Sequence, residues 1–180
     1  NNYSDLRIGV LGSHSALEVM DGAKDENLNT VVFCQKGREG PYQRFGRIAD
    51  EIMILKKFKD IASAPNQKKL RDTGTIIVPH RSLTAYLGYD ILENKLKIPI
   101  FGNRALFQAE ERYNKKNQYY LLKKAGIKYP KIFKDPKTIN KPAIVKVQEK
   151  NRKLERAFFT VSSYSDYKKK SEEKIKNGVI

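Results

Sequence analysis

The chain has 180 residues and one cysteine, Cys34, which excludes an internal disulfide framework and a multi-cysteine metal site. Its formal net charge is +16, and leucine, isoleucine, valine and phenylalanine fill 47 of the 180 positions, a share at which chains usually fold. No apolar run approaches the length of a membrane-spanning helix and the first five residues do not resemble a signal peptide, so we expect a cytoplasmic protein.

The first segment alternates short apolar runs with helix-like stretches. Strands are predicted at residues 6–11, 30–34, 51–55, 75–79 and 98–102. Helices are predicted at residues 13–26, with Ser13 as the cap, at 65–72 and at 82–94, and residues 37–46 are expected to form an exposed loop. Continuously apolar strands separated by helices predict an α/β domain with a doubly wound parallel sheet, covered by helices on both faces.

The pattern changes in the second segment. A helix is predicted at residues 105–125, ended by Gly126. Two antiparallel strands follow at residues 142–147 and 157–161, joined by a polar loop, and a helix at residues 165–177 closes the chain. Two strands and one helix bury little apolar surface. We therefore expect this ββα unit to need further structure to pack against, beyond what this chain supplies.

The positive charge is concentrated in this second segment. Residues 1–113 carry 17 basic and 14 acidic side chains, a net of +3, whereas residues 114–180 carry 19 and 6, a net of +13. A strongly positive segment attracts anions of any kind, so the charge is equally compatible with binding a triphosphate or a nucleic acid. The change in charge predicts two differently built segments that join near residue 113.

Both histidines of the chain come directly after a predicted parallel strand. His14 follows the first strand and His80 the fourth, and Ser13, Ser15 and Ser82 stand beside them. In open α/β sheets, ligands bind outside the carboxyl ends of the strands, where backbone N–H groups and hydroxyls suit phosphate oxygens. These residues predict a pocket for a phosphate-bearing ligand. The alternative is that each serine only caps a helix and each histidine is a polar loop residue.

A single lysine interrupts the apolar strand at residues 142–147. Side-chain alternation turns Lys146 to the face opposite Val145 and Val147. A lysine on a sheet face beside an anion pocket is a natural ligand for a nucleotide phosphate, and the alternative is that its ammonium group only reaches out to solvent. The chain contains no G-x-G-x-x-G fingerprint and no P-loop, so neither of those phosphate-binding motifs is available.

Four motifs together resemble one known family. They are S-H-S-A-L at residues 13–17, V-P-H-R-S at 78–82, P-I-F-G-N-R-A-L at 99–106, and L-K-K-A-G-I followed by Y-P-K at 122–131. In this order they resemble the amino-terminal half of the archaeal 5-formaminoimidazole-4-carboxamide ribonucleotide synthetases. These are formate-dependent purine ligases of the ATP-grasp superfamily.

The resemblance implies a Rossmann-like ribonucleotide-binding domain over residues 1–113 and the incomplete first part of an ATP-grasp domain over residues 114–180. His14 and Ser82 fall where the family holds the ribonucleotide, and Lys146 and Lys115 match its nucleotide-binding lysines. The implied reaction is phosphorylation of formate by ATP with Mg²⁺, followed by attack of the amine of 5-aminoimidazole-4-carboxamide ribonucleotide on formyl phosphate. It leaves the catalytic residues unknown and implies no metal ligand within this chain segment. A homo-oligomer is also expected.

The sequence departs from the family pattern in three places. The loop at residues 148–156 has no glycine where the family has a glycine-rich loop that folds over the phosphates, so ATP binding is in question. Arg81 stands where the family usually has glycine, and it either binds the ribonucleotide phosphate or obstructs it. The chain also stops before the segment that brings the family's Mg²⁺-binding acidic residues, which favours a piece of a longer polypeptide.

Two alternative functions stay open at this stage. The glycine-free loop suits a non-catalytic paralogue that binds the purine intermediate or a partner ligase subunit. The positive second segment with its interleaved tyrosines and phenylalanines suits a nucleic-acid-binding module. Most of those aromatic residues lie within apolar strands or on helix faces, so we expect them to pack in the core, and we expect no binding to nucleic acid or membranes.

Overall fold

The structure is a computed structural model that describes residues 6–146 and 158–178. The chain divides into two compact units, Asn1–Phe107 and Gln108–Ile180. The junction predicted near residue 113 falls a few residues later than this division. That residue 113 separates two functional domains stays a prediction. Among the described residues, no helix is both long and apolar enough to cross a membrane.

The first unit is built on a four-stranded parallel sheet. Its strands are paired in the order β3-β2-β1-β4. They are β1 (Arg7–Leu11), β2 (Asn29–Gln35), β3 (Glu51–Leu55) and β4 (Thr75–Ile77). The predicted α/β class with a parallel sheet is confirmed.

Helices cover both faces of this sheet, because alternate side chains of each strand point to opposite sides. Val10, Val32 and Cys34 pack on one side with residues of two helices. Leu11 and Phe33 pack on the other side with residues of two more. The helices of the first pair are α1 (Ala16–Asp25) and α2 (Gly40–Arg44), and those of the second are α3 (Ala64–Asp72) and α4 (Arg81–Leu87).

The fifth strand predicted at residues 98–102 is reduced to one parallel bridge between Ile77 and Ile100. The Ile77 N–H donates to the Pro99 carbonyl oxygen at 2.9 Å, and the Phe101 N–H donates to the Ile77 carbonyl oxygen at 2.8 Å. To continue toward Thr75, the ladder needs a donor on residue 99. Proline has no N–H, so the pairing stops there.

Three predicted local structures differ from the observed ones. The exposed loop at residues 37–46 contains α2, which buries the Tyr42 ring to 6% exposure. The helix at 82–94 is interrupted at Gly88, whose φ of +79° ends α4, and a π-helical turn follows at Ile91–Lys95. The helix at 105–125 is split into a 3₁₀ segment (Arg104–Glu110) and α5 (Gln118–Lys124).

A partly buried arginine, Arg104, holds the segment that follows α4. Arg104 Nη1 donates to the carbonyl oxygens of Leu92 at 2.7 Å and of Leu96 at 2.9 Å, and Nη2 donates to the carbonyl oxygen of Ile98. A guanidinium group can serve several acceptors at once because its N–H groups are fixed in a plane. Arg104 belongs to the motif at residues 99–106, so part of that motif has a structural role.

The second unit begins with α5 and contains the predicted ββα arrangement. The antiparallel strands β5 (Ala143–Lys146) and β6 (Phe158–Val161) are followed by α6 (Tyr164–Lys176). The Phe159 and Tyr167 rings stack with centroids 6.5 Å apart, which packs α6 on one face of the strand pair. Gly126, at a φ of +69°, comes directly after α5 as predicted. The predicted loop at residues 148–156 lies outside the described residues.

Candidate functional site

A cavity of about 440 Å³ opens at the carboxyl ends of the strands in the first unit. In the strand order β3-β2-β1-β4, the segments that follow β1 and β2 are neighbours, and their loops and the helices α1 and α2 supply the described lining. The lining residues are Gly12, Ser13, His14, Leu17, Arg38, Pro41 and Tyr42. The volume lies within the usual range of ligand pockets, and the position is the one expected for an open parallel sheet.

At Gly12, in the cavity lining, the backbone passes close to its neighbours. A Cβ atom there would lie 3.1 Å from the Phe33 carbonyl oxygen and 3.1 Å from the Tyr42 ring. The Gly12 N–H also donates to that carbonyl oxygen at 2.8 Å. A side chain at this position would have to displace either a strand backbone or a buried ring, so the absence of a Cβ holds the cavity floor in place.

His14 is exposed and lines the cavity, and its Nδ1 lies 2.8 Å from the Ser15 hydroxyl. The N-cap of α1 is Ser15, so the prediction of Ser13 as the helix cap is wrong. Ser13 lines the cavity instead, and its carbonyl oxygen accepts from the Ala16 N–H at 2.9 Å. The loop after β1 therefore presents an imidazole and a hydroxyl to the cavity.

His80, the second histidine, forms hydrogen bonds with the protein backbone through both ring nitrogens. Its Nε2 donates to the Leu11 carbonyl oxygen at 2.9 Å, and its Nδ1 accepts from the Ser82 N–H at 3.3 Å. Since a carbonyl can only accept and an N–H can only donate, these partners assign the proton of the neutral ring to Nε2. His80 is not among the described residues that line the cavity. Of the two histidines singled out by the sequence, only His14 faces it.

Ser82 lies at the second position of α4 and is half-buried. It is not one of the described lining residues of the cavity. The bond from His80 to Leu11 nevertheless holds the start of α4 beside the loop that follows β1. The structure thus brings the segments of His14 and Ser82 to one edge of the sheet, and the ligand role of both residues stays a prediction.

Sequence reasoning missed Arg38, which also lines the cavity. Its Nη1 donates to the Tyr86 hydroxyl at 3.1 Å, and its guanidinium carbon lies 5.3 Å from the Phe58 ring centroid. The hydrogen bond from Arg38, together with its positive charge, lowers the pKa of Tyr86 against the opposing effect of burial. Arg38 comes three residues after β2. The strand-end rule that singled out His14 would therefore also have found it.

Cys34 takes no part in this site. Its side chain is fully buried in the core on the α1 side of the sheet. Burial and the nearby Glu39 raise the pKa of the thiol above its ordinary value. A thiol held in its protonated form is a poor nucleophile, so Cys34 acts as a small apolar core residue.

The second unit holds a separate cavity of about 750 Å³. Lys146 lines it from the exposed face of β5, and its Nζ lies 5.5 Å from the Phe158 ring centroid. Among the described lining residues, four are cationic and none is acidic, and the rest are mainly apolar or aromatic. The cationic ones are Arg112, Lys131, Lys141 and Lys146. Such a wall suits a ligand that combines a flat apolar part with negative charge.

Lys115, the other predicted nucleotide lysine, is exposed on the turn that precedes α5. The described lining of the larger cavity does not include it. The structure therefore brings only one of the two predicted lysines to that cavity.

Comparison with known proteins identifies the family. Residues 8–133 match a family model described as "Protein of unknown function (DUF1246)", which covers well over half of the chain. The chain belongs to this family. The resemblance noted from the four sequence motifs is also confirmed, because curated relatives of this chain carry the name of that synthetase.

Two such relatives are called 5-formaminoimidazole-4-carboxamide-1-(beta)-D-ribofuranosyl 5'-monophosphate synthetase. The one from Methanopyrus kandleri is 42% identical over 99% of this chain and 48% of its own length. The one from Methanocaldococcus jannaschii is 37% identical over the same shares. The chain thus spans about half the length of the curated relatives it matches.

A solved structure is similar in fold to this member of the DUF1246 family. It is described as the crystal structure of an IMP biosynthesis protein PurP from Thermococcus kodakaraensis. The TM-score is 0.57 at 23% sequence identity, over 85% of this chain and 48% of the other. At that identity the likeness supports the fold alone.

Proposed function

We propose that this chain is part of an ATP- and formate-dependent ligase that formylates 5-aminoimidazole-4-carboxamide ribonucleotide in purine biosynthesis. The observation that carries the proposal is the sequence identity to named synthetases along almost the whole chain. The solved structure of similar fold, which is named for IMP biosynthesis, is consistent with it.

In this proposal, the first unit binds the ribonucleotide at the strand-end cavity. His14 offers an imidazole N–H to a phosphate or carboxamide oxygen, and Ser82 offers a hydroxyl from the start of α4. Because both residues belong to segments held by the rigid sheet, they orient the ligand at little further entropic cost. Their role is to bind and position the ribonucleotide amine, and no catalytic residue is assigned.

The second unit, in this proposal, is the first part of an ATP-grasp domain. The chain then has two functional segments, residues 1–113 for the ribonucleotide and residues 114–180 for ATP. The cationic cavity with an apolar wall fits ATP as a substrate. Lys146 would hold a phosphate there, and Lys115 is included on the family resemblance alone. When bound, ATP supplies the phosphoryl group that activates formate for attack by the ribonucleotide amine.

Mg²⁺ does not fit the residues described for this cavity. Its described lining carries no carboxylate, and the described parts of the chain hold no group of three histidine, cysteine or acidic residues suited to a metal. Mg²⁺ prefers oxygen ligands such as carboxylates, so no step is assigned to it within this chain. Use of formate, a homo-oligomeric state and a cytoplasmic location stay predictions.

The test combines binding with turnover. Calorimetric titration should detect binding of 5-aminoimidazole-4-carboxamide ribonucleotide to the native protein. The protein at its full natural length should then convert labelled formate into the formylated ribonucleotide only when Mg-ATP is present. Binding of the ribonucleotide without turnover would instead favour the non-catalytic paralogue. Failure of the ribonucleotide to bind would remove the proposal.

A further inference from the structure

We propose that Arg38 recognises the phosphate group of the ligand in the strand-end cavity, and that Tyr86 and Phe58 position its guanidinium for that role. The assignment rests on the proposed function for the identity of the ligand. The Arg38 assignment goes beyond the proposed function because it names the residue that distinguishes a nucleotide from a nucleoside.

The first support is that segments following three of the four strands position this one side chain. Arg38 follows β2, Phe58 begins the 3₁₀ turn after β3, and Tyr86 lies on the helix after β4. The Tyr86 hydroxyl accepts from Arg38 at 3.1 Å. The Phe58 and Tyr86 rings are 4.6 Å apart and form a common wall.

The second support is that an exposed arginine is usually mobile, whereas Arg38 is held at two points. One is the hydrogen bond to Tyr86, and the other is the approach of its guanidinium carbon to the ring faces of Phe58 at 5.3 Å and Tyr86 at 5.5 Å. Fixing the side chain in advance lowers the entropic cost of ligand binding. Stacked guanidinium groups are favoured in anion recognition for this reason.

The third support is the composition of the cavity. Arg38 is the permanently charged residue among its described lining, and no acidic residue is among them. Within the described contacts, one Nη1–H goes to Tyr86, and a guanidinium has five N–H groups arranged to pair with two oxygens of a phosphate. His14 and Ser13 line the same cavity and supply further donors. The ligand class is therefore a phosphate monoester.

The experiment measures how much the phosphate adds to affinity. Calorimetry at ~150 mM salt is performed with the aminoimidazole carboxamide ribonucleotide, its nucleoside and ribose 5-phosphate. The preference of the protein for nucleotide over nucleoside should fall about 10- to 100-fold in R38M, which corresponds to loss of a hydrogen-bonded charged group. R38K should lose most of this preference as well, since it keeps the charge without the planar fork.

Two further variants separate positioning from charge. Y86F keeps the ring beside Phe58 and removes the hydroxyl, so the preference should fall by a smaller factor, about three- to tenfold. R44M removes an equal charge from the exposed side of α2, outside the described lining, and should leave the preference unchanged. Thermal melting of each variant checks that the fold is retained.

An unchanged preference in R38M would overturn the assignment, as would equal losses for nucleotide and nucleoside. Loss of the preference in R81M with none in R38M would also overturn it, and would give the role to Arg81. Native protein that binds no phosphate-bearing probe would do the same. If ribose 5-phosphate binds in an Arg38-dependent way but the purine intermediate does not bind, the Arg38 assignment stands and the proposed function fails.

Discussion

The imidazole of His80 lies 2.9 Å, Nε2 to oxygen, from the carbonyl of Leu11 and joins the chain after β4 to the last residue of β1. Its other ring nitrogen accepts from the Ser82 N–H, which caps α4. This histidine therefore determines where α4 begins relative to the loop that carries His14. His80 thus stabilises the site by joining the start of α4 to the end of β1.

Replacing His80 by alanine should lower the free energy of unfolding by roughly 1–3 kcal/mol, because the Leu11 carbonyl and the Ser82 N–H both lose a partner. Urea denaturation at neutral pH measures the change. The matched control is H14A, since His14 is exposed and its loss should change stability by less than about 0.5 kcal/mol. Equal stability of H80A and the native protein would contradict the structural role.

The ligand roles of His14 and Ser82 predict a different result. H14A and S82A should each weaken binding of the ribonucleotide by roughly 1–3 kcal/mol, through loss of hydrogen bonds to a polar or charged group. Calorimetric titration is the measurement. T84A serves as the control, because the Thr84 hydroxyl donates to the Arg81 carbonyl oxygen on the same helix. Affinities unchanged in both H14A and S82A would remove these residues from the site.

The cationic cavity of the second unit predicts weak ATP binding that falls steeply with salt. K146M should reduce ATP affinity and make it less dependent on salt, because one exposed cation of the cavity wall is removed. K115M tests the second lysine, and K176M, at the end of α6, is the control for loss of charge alone. The measurement is ATP titration between low and ~0.5 M salt.

Tight ATP binding that hardly changes over that range would contradict this prediction. It would show that the absence of glycine from residues 148–156 does not weaken ATP binding.

An ion-pair cluster at the opposite end of the sheet predicts a dependence of stability on pH. Glu51 accepts from Lys69 Nζ at 2.6 Å and from Arg7 Nη1 at 2.5 Å. The bond from Lys69, ahead of the contribution of Arg7, lowers the pKa of Glu51 in the folded protein, against the opposing effect of burial. The stabilisation is therefore present above the unfolded pKa and is lost as the pH falls through the folded one.

E51Q should consequently be less stable than the native protein by about 1 kcal/mol at neutral pH. The difference should shrink as the pH falls below about 4. Urea denaturation across this range measures it. D72N, which breaks an exposed pair between Lys68 and Asp72 within α3, should have a smaller effect. A stability difference between E51Q and the native protein that grows toward acid pH would contradict the lowered pKa of Glu51.

The strands of both units could be predicted from sequence because they are short apolar runs in a polar chain. Residues 51–55 match β3 at both ends, and the two antiparallel strands of the second unit are found within one residue. What the local pattern did not show is where a predicted helix is interrupted. The apolar and helix-forming residues at 105–125 read as one helix, yet the Asn117 side chain accepts from the N–H groups of Tyr119 and Tyr120 and starts a new one.

The sequence by itself determined the strands, the loops that follow them and the presence of His14 at a strand end. Only the tertiary structure decided which strands are neighbours, and therefore which loops share a cavity. His80 is 69 residues from Leu11, and Arg38 is 48 residues from Tyr86. Contacts over such separations depend on strand order and on packing across the sheet, which no local pattern encodes. That is why two equivalent histidines in the sequence have different roles, and why the contact of Arg38 with Tyr86 was visible only once the chain was folded.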